Sequence, residues 1–213
     1  MKRIMFYATL LMLSFGNVSA DARHLEALPF SDIEIGMSFK ELMERHPSEK
    51  ILFPKGNDSQ SPEKGVVMYE FSTNKFWDSL MVQIADTKVQ SLAYSRINRE
   101  LLLSKGPSGV DFSNVARNVQ PLFNQLKQQL GETFEKKIVC RHLRETKIRS
   151  AMYVWKREKD VVVLIHMPVG LYTKGNIFDC QLTIAPTVEY FSPIMATDNI
   201  PEDATLWADA MDE

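Results

Sequence analysis

The sequence predicts an α+β protein of two layers, made of two tandem helix-plus-antiparallel-sheet units. Three observations carry this expectation. Each half of the chain opens with a helix signal, each continues into period-two runs of strand-forming residues, and "SKGPSG", Ser104 to Gly109, marks a break between them. The expected organisation is a leader at 1–20, a first unit at 21–104, a linker at 105–109, a second unit at 110–190 and an acidic tail at 191–213.

The leader begins with Lys2 and Arg3, continues through an apolar run from Ile4 to Phe15 and ends in Val18-Ser19-Ala20, the layout of a cleaved secretory signal. The run is far shorter than the roughly 20 apolar residues that cross a bilayer. The expected protein is therefore exported, periplasmic or secreted, and not membrane-spanning. Without Lys2 and Arg3 it carries 23 basic and 27 acidic residues, a formal charge of −4, so no global field favours nucleic acid.

In the first unit, Ser38 suits an N-cap, Glu41 completes a capping box and Met37 staples onto Leu42. Phe39, Leu42 and Met43 share one face, and Pro47 stops the helix. A polar loop, "PKGNDSQSPEKG", leads into strands at 66–72, 79–85 and 89–95, the last two joined by the tight turn "DTK". Leu80, Val82 and Ile84 alternate with Met81, Gln83 and Ala85, as in a sheet with one face on a helix.

In the second unit, Phe112, Val115, Ala116, Val119, Leu122, Phe123, Leu126 and Leu130 keep a 3.6-residue period that ends at Gly131. Pro121 falls inside this helix and predicts a kink or two abutting helices. Strands are expected at 133–143, 148–156, 160–167 and 177–185. Export makes a Cys140–Cys180 disulfide the default. In a plain meander the two strands lie about 14 Å apart, beyond the 4.4–6.8 Å or so of bridged Cα atoms, so the bridge requires another strand order or a cysteine beyond its strand.

The stretch "IGMSFKEL", Ile35 to Leu42, resembles the "G-M-[ST]-x-x-E-[VL]" opening of the outer-membrane-assembly lipoprotein BamE family and of the beta-lactamase inhibitory protein family, through Gly36, Met37, Ser38, Glu41 and Leu42. The resemblance implies a helix-on-antiparallel-sheet unit, present twice in tandem in the inhibitor, and a scaffold for binding proteins. The chain departs from the first family in lacking a lipobox cysteine, and from both in having "HPSE" where "G-x-P" often follows the helix. No binding residue and no target carry over.

The densest charge lies at 136–159, with nine Lys or Arg against Glu145 and Glu158. Strand alternation sets Arg149, Tyr153, Trp155 and Arg157 on one face, suited to stack on and pair with an envelope protein or an anionic surface. A sheet whose Tyr153 and Trp155 pack against the helix meets the same alternation. The loop "GLYTKG" offers Leu171 and Tyr172 as further contacts. From Glu189 to the end there are seven acids and no base, and "PEDATLWADAMDE" suits a short helix docked on its own domain or left free for a partner. His24, His46, His142 and His166 show no metal-ligand spacing, and neither a nucleophile elbow nor a phosphate loop is present, so no catalytic residue, metal or cofactor is expected. The function expected is a non-catalytic envelope binding module: an inhibitor, an immunity-like protein or an assembly accessory. The rival is an envelope hydrolase that gathers His142, His166 and Asp179 from distant strands.

Overall fold

Ser38 starts the first helix, α1 (Phe39–Arg45), because its extended backbone lets Oγ accept the Glu41 N–H at 3.2 Å. His46 closes it, donating its backbone N–H to the Leu42 carbonyl at 2.8 Å. The strands that follow are β1 (Ile51–Leu52), β2 (Lys64–Glu70), β3 (Ser79–Ala85) and β4 (Lys88–Asn98). Helix α2 (Phe112–Leu130) comes next, and then β5 (Glu135–Leu143), β6 (Thr146–Lys156), β7 (Val161–Ile165), β8 (Gly170–Leu171), β9 (Ile177–Ala185) and β10 (Thr205–Ala208). The computed structural model describes Leu25 and residues 28–48, 50–52, 63–74, 76–98, 112–143, 146–166, 170–171, 177–187 and 205–208. The expected leader and linker lie outside the described residues.

The β3–β4 turn shows how local chemistry locks helix to sheet. Asp86 and Thr87 both take positive φ, 50° and 60°, the backbone that lets a two-residue turn follow the strand twist. The turn then presents the Thr87 carbonyl to the Phe39 N–H at 2.8 Å, satisfying a donor that the helix itself leaves unpaired. Gly36, at φ 88°, lets the chain bend so that its N–H reaches Val89 O and Met37 O accepts the Val89 N–H, both at 2.8 Å.

The strands form one sheet, not two tandem units. Its order is β1-β2-β3-β4-β9-β7-β6, with β5 on the outer edge of β6 and β8 extending along β9. Strand β4 pairs with β9 from Leu92↔Ile184 to Asn98↔Ile177, and this seam overturns the two-unit expectation. Two separate sheets would each leave a row of N–H and C=O groups at that boundary, and pairing the two edges satisfies both rows. Among the described residues there are two helices, and α1 is only seven residues long.

Both helices bury into a single core on one face of that sheet. Phe39 and Leu42 of α1 and Val119, Leu122, Phe123 and Leu126 of α2 join the alternate residues Val67, Leu80, Val82, Leu92, Tyr94, Leu182, Leu164, Val162, Tyr153 and Trp155. Helix α2 runs through Pro121 as one element, with that proline exposed. It ends at Gly131, whose positive φ of 96° lets its N–H return to Lys127 O at 2.9 Å.

The far side of the sheet is forked. β7 pairs with Met152–Lys156 of β6 and stops at Ile165, after which, among the described residues, β8 pairs with β9 alone. The sequence continues into Met167-Pro168, and a proline has no amide hydrogen to extend a ladder. Because β5 fills the opposite edge of β6, β10 occupies the stretch that β7 leaves, pairing in parallel with Ile148–Ser150. Here the expected helix in the tail is corrected: its described part is a strand, which also packs against α2. β-branched Thr205 and aromatic Trp207 suit a strand as well as a helix end, and the open edge of β6 decides between them.

Candidate binding surface

Of the basic and aromatic residues on β6, the structure places Tyr153 and Trp155 inside the core. Phe123 of α2 lies 4.6 Å from the Tyr153 ring and 5.9 Å from that of Trp155, and Phe134 lies 5.5 and 5.4 Å from the same two rings. Trp155 Nε1 donates to Gly131 O at 3.1 Å, so the indole ties the sheet to the end of α2. Neither ring is available to stack on a partner.

Arg157 is turned onto its own hairpin. Its Nε and Nη2 pair with the two Asp160 carboxylate oxygens, the latter at 2.6 Å, and its N–H donates to Asp160 O at 2.8 Å. This two-pronged ion pair closes the β6–β7 turn and leaves little charge to offer outward. Arg149 sits in register between Cys140 of β5 and Leu206 of β10, and its side chain lies outside the described residues. Leu171 pairs with Ile177 in β8, while Tyr172 lies outside the described residues. Of these six positions the described side chains are those of Tyr153, Trp155 and Arg157, and they share no exposed surface.

The expected cysteine bridge meets the same geometry that the sequence warned of. Cys140 lies within β5 and Cys180 within β9, with β6 and β7 between them, three strand spacings or roughly 14 Å. A disulfide holds its Cα atoms about 4.4–6.8 Å apart, so this strand order keeps the two residues from bridging.

The residues named for a hydrolase are equally dispersed. His142 belongs to β5 and Asp179 to β9, again with two strands between, and their side chains lie outside the described residues. His166 is fully buried at the fork, where burial first and the charge of Arg96 second push its imidazole down to about 3. It stays neutral at ordinary pH, out of reach of solvent. A second histidine, His46, has its Nε2 at 2.9 Å from both carboxylate oxygens of Asp32, and Phe30 stacks 4.4 Å from its ring. That pair fastens the turn before α1 to the end of the helix. Among the described residues, no group of three or more His, Cys, Asp or Glu could hold a metal ion.

The surface that sequence reasoning missed is the helix-free face of β1, β2 and β3. Core-facing Val67, Tyr69, Leu80, Val82 and Ile84 alternate with Val66, Met68, Met81 and Gln83, which point to the other side. Registers bring these four together: Leu52 is opposite Val66, Val66 opposite Gln83, and Met68 opposite Met81. Leu52 and Met81 are 62% and 41% exposed, and Val66 and Met68 are half-buried beside them. Polar groups rim the patch, including the Lys50–Glu70 ion pair at 2.6 Å.

An apolar patch with a polar rim is a usual mark of an interaction site. Methionine suits such a patch, because its unbranched thioether adapts its shape to what it meets. The alternation of Met81 and Gln83 was legible, but the partnership with Leu52 was not, because a two-residue strand has no period. No helix among the described residues is long and apolar enough to cross a membrane. Comparison with protein-family models finds no matching family, and comparisons with curated proteins and with solved structures likewise find no match.

Proposed function

We propose that the chain is a non-catalytic binding module of the cell envelope, exported by its first twenty residues, which docks an envelope protein through the helix-free face of β1 to β3. One observation carries the reading: Leu52 and Met81 are open to solvent on a sheet face where Val66 and Met68 complete an apolar patch, with Gln83 and the Lys50–Glu70 pair in its polar rim. Burying those side chains against a partner contributes about 25 cal/mol per Å² of apolar surface removed from water. The same residues contribute little to the fold, since they lie on the side away from the core.

Site-specific photo-crosslinking in the exported, full-length protein tests this. A photoreactive residue at Met81 is expected to give a discrete adduct with one envelope protein, and the same group at Glu44, exposed on α1, is expected to give none. Leu52→Glu added to the Met81 probe is expected to abolish the adduct while leaving the thermal midpoint unchanged. Equal labelling at Met81 and Glu44, or an adduct that survives Leu52→Glu, defeats the proposal.

A further inference from the structure

The sheet has two unlike edges. β1 ends one side as a two-residue strand, a blunt edge that offers almost no backbone to a neighbour. β5 ends the other side with nine residues, all paired with β6 in unbroken antiparallel register from Glu135↔Val154 to Leu143↔Thr146. Among the described residues β5 pairs with no other strand. In an antiparallel ladder the N–H and C=O of alternate residues point away from the partner, so about half of β5 presents its backbone outward.

Natural edges are protected by proline, by bulges, by shortness or by charge. β5 contains no proline and no glycine, and its register has no bulge, so among the described residues charge is the device that protects it. From Glu135 to Lys156 the chain carries seven Lys or Arg and two acids, within a protein whose overall formal charge is −2. Glu135 is already engaged, pairing with Lys156 and, at 3.6 Å, with Lys137. A second copy brought edge to edge in antiparallel register, with Lys137 of each copy opposite Arg141 of the other, would oppose like charges twice, and like charges across a strand pair are destabilising. The arrangement repels its own kind and attracts the opposite one.

The two ladder faces refine the partner. Lys136 lies on the helix side, with its Nζ 5.9 Å from the Tyr153 ring, whereas Lys137 lies on the other side beside Glu135. Basic residues thus flank both faces of any strand laid along β5. A complementary strand needs acids at successive positions, which project to opposite faces, and not at every second position.

We propose that the outer edge of β5 is a strand-acceptor site for an extended acidic segment of a partner protein, bound by main-chain hydrogen bonds and selected by carboxylates on both of its faces. The site stands apart from the apolar patch on β1 to β3, at the opposite end of the sheet.

Three capped octapeptides titrated by fluorescence anisotropy against the exported, full-length protein test the proposal. The first is TEDVEDVT, the second is the same peptide N-methylated at alternate amides, and the third is TKKVKKVT. The first is expected to bind, with amide protons of β5 gaining exchange protection. The N-methylated form is expected to bind at least about tenfold more weakly, because one row of hydrogen bonds is gone. The lysine peptide is expected not to bind, and Lys136→Glu/Lys137→Glu is expected to reverse the preference. Equal binding of the methylated peptide shows charge attraction alone and overturns the proposal, as does no binding of the first peptide or no protection of β5. Met81→Glu is expected to leave peptide binding unchanged, so failure of the apolar-patch reading and failure of this one are distinguishable.

Discussion

The Ser150 hydroxyl donates to the His166 main-chain oxygen at 2.5 Å, at the point where β7 leaves β6. The side chain takes over where the ladder stops, holding the two strands together just beyond their last paired position, Met152↔Ile165. Both residues are buried, so the bond is made away from water. Ser150→Ala removes that donor and is expected to cost about 1–3 kcal/mol in denaturant unfolding. Ser91→Ala, which removes a hydroxyl bonded to exposed Gln83 at 3.3 Å, is expected to cost less than about 0.5 kcal/mol. Equal costs would mean that the fork is not held by Ser150.

The histidine at that fork makes stability fall as the solution turns acid. Its folded pKa, about 3, lies below the 6.5 of the unfolded chain, so the unfolded state binds the extra proton between those values. The contribution is fully present above about pH 6.5, and is lost progressively down to about pH 3 at up to about 1.4 kcal/mol per unit. Plotting the denaturation midpoint against pH is expected to give a shallower slope for His166→Gln across this window. Parallel slopes for variant and wild type would show that His166 is not the group responsible.

Trp155 decides whether β6 carries a contact surface or a core. Its ring packs against Phe123 and Phe134, and its Nε1 reaches the carbonyl at the end of α2. Trp155→Ala is expected to cost about 3–5 kcal/mol, as for a large aromatic side chain removed from a packed interior. Trp155→Phe keeps most of the apolar volume, and its expected smaller loss includes about 1 kcal/mol for the hydrogen bond to Gly131. Chemical denaturation followed by circular dichroism measures both, and an alanine variant within about 0.5 kcal/mol of wild type would place the residue at the surface.

The same residue shows what a sequence can carry. Alternation puts Tyr153 and Trp155 on one side of β6, and that much is local; which side faces α2 depends on Phe123, thirty residues away, and on the order of the strands. Helix α2 and strands β3 and β9 were legible with their limits, because a 3.6-residue period, a two-residue alternation and their turn residues are written in contiguous chain. The seam between β4 and β9 was not, since it joins segments some ninety residues apart through backbone groups that every sequence shares. Strand β10 was misread for a related reason: "TLWA" is too short to have a period, and the open stretch of β6 gives it its conformation. The apolar patch was half legible, because Met81 alternates correctly with the core while Leu52 gains its meaning only by pairing with Val66.

The clasp between Asp32 and His46 leads to a second, separate pH dependence. Burial alone would raise the Asp32 carboxyl, but the hydrogen bond from His46, the His46 charge and that of Arg45 outweigh it and hold the group below the ordinary 3.8. A depressed folded pKa stabilises the protein above the unfolded value and ceases to do so as pH falls through the folded one. The carboxylate is nearly half exposed, so solvent screens the pair and its contribution is expected to be below about 1 kcal/mol. Asp32→Asn should therefore lower the unfolding free energy modestly at neutral pH, with the difference from wild type shrinking below about pH 4 and vanishing in stronger acid. This window lies beneath most of the His166 transition, so the double variant Asp32→Asn/His166→Gln is expected to show both effects additively, the sites being distinct. A difference for Asp32→Asn that persists undiminished to the most acid point measured would mean that the side chain acts through packing and not through its charge.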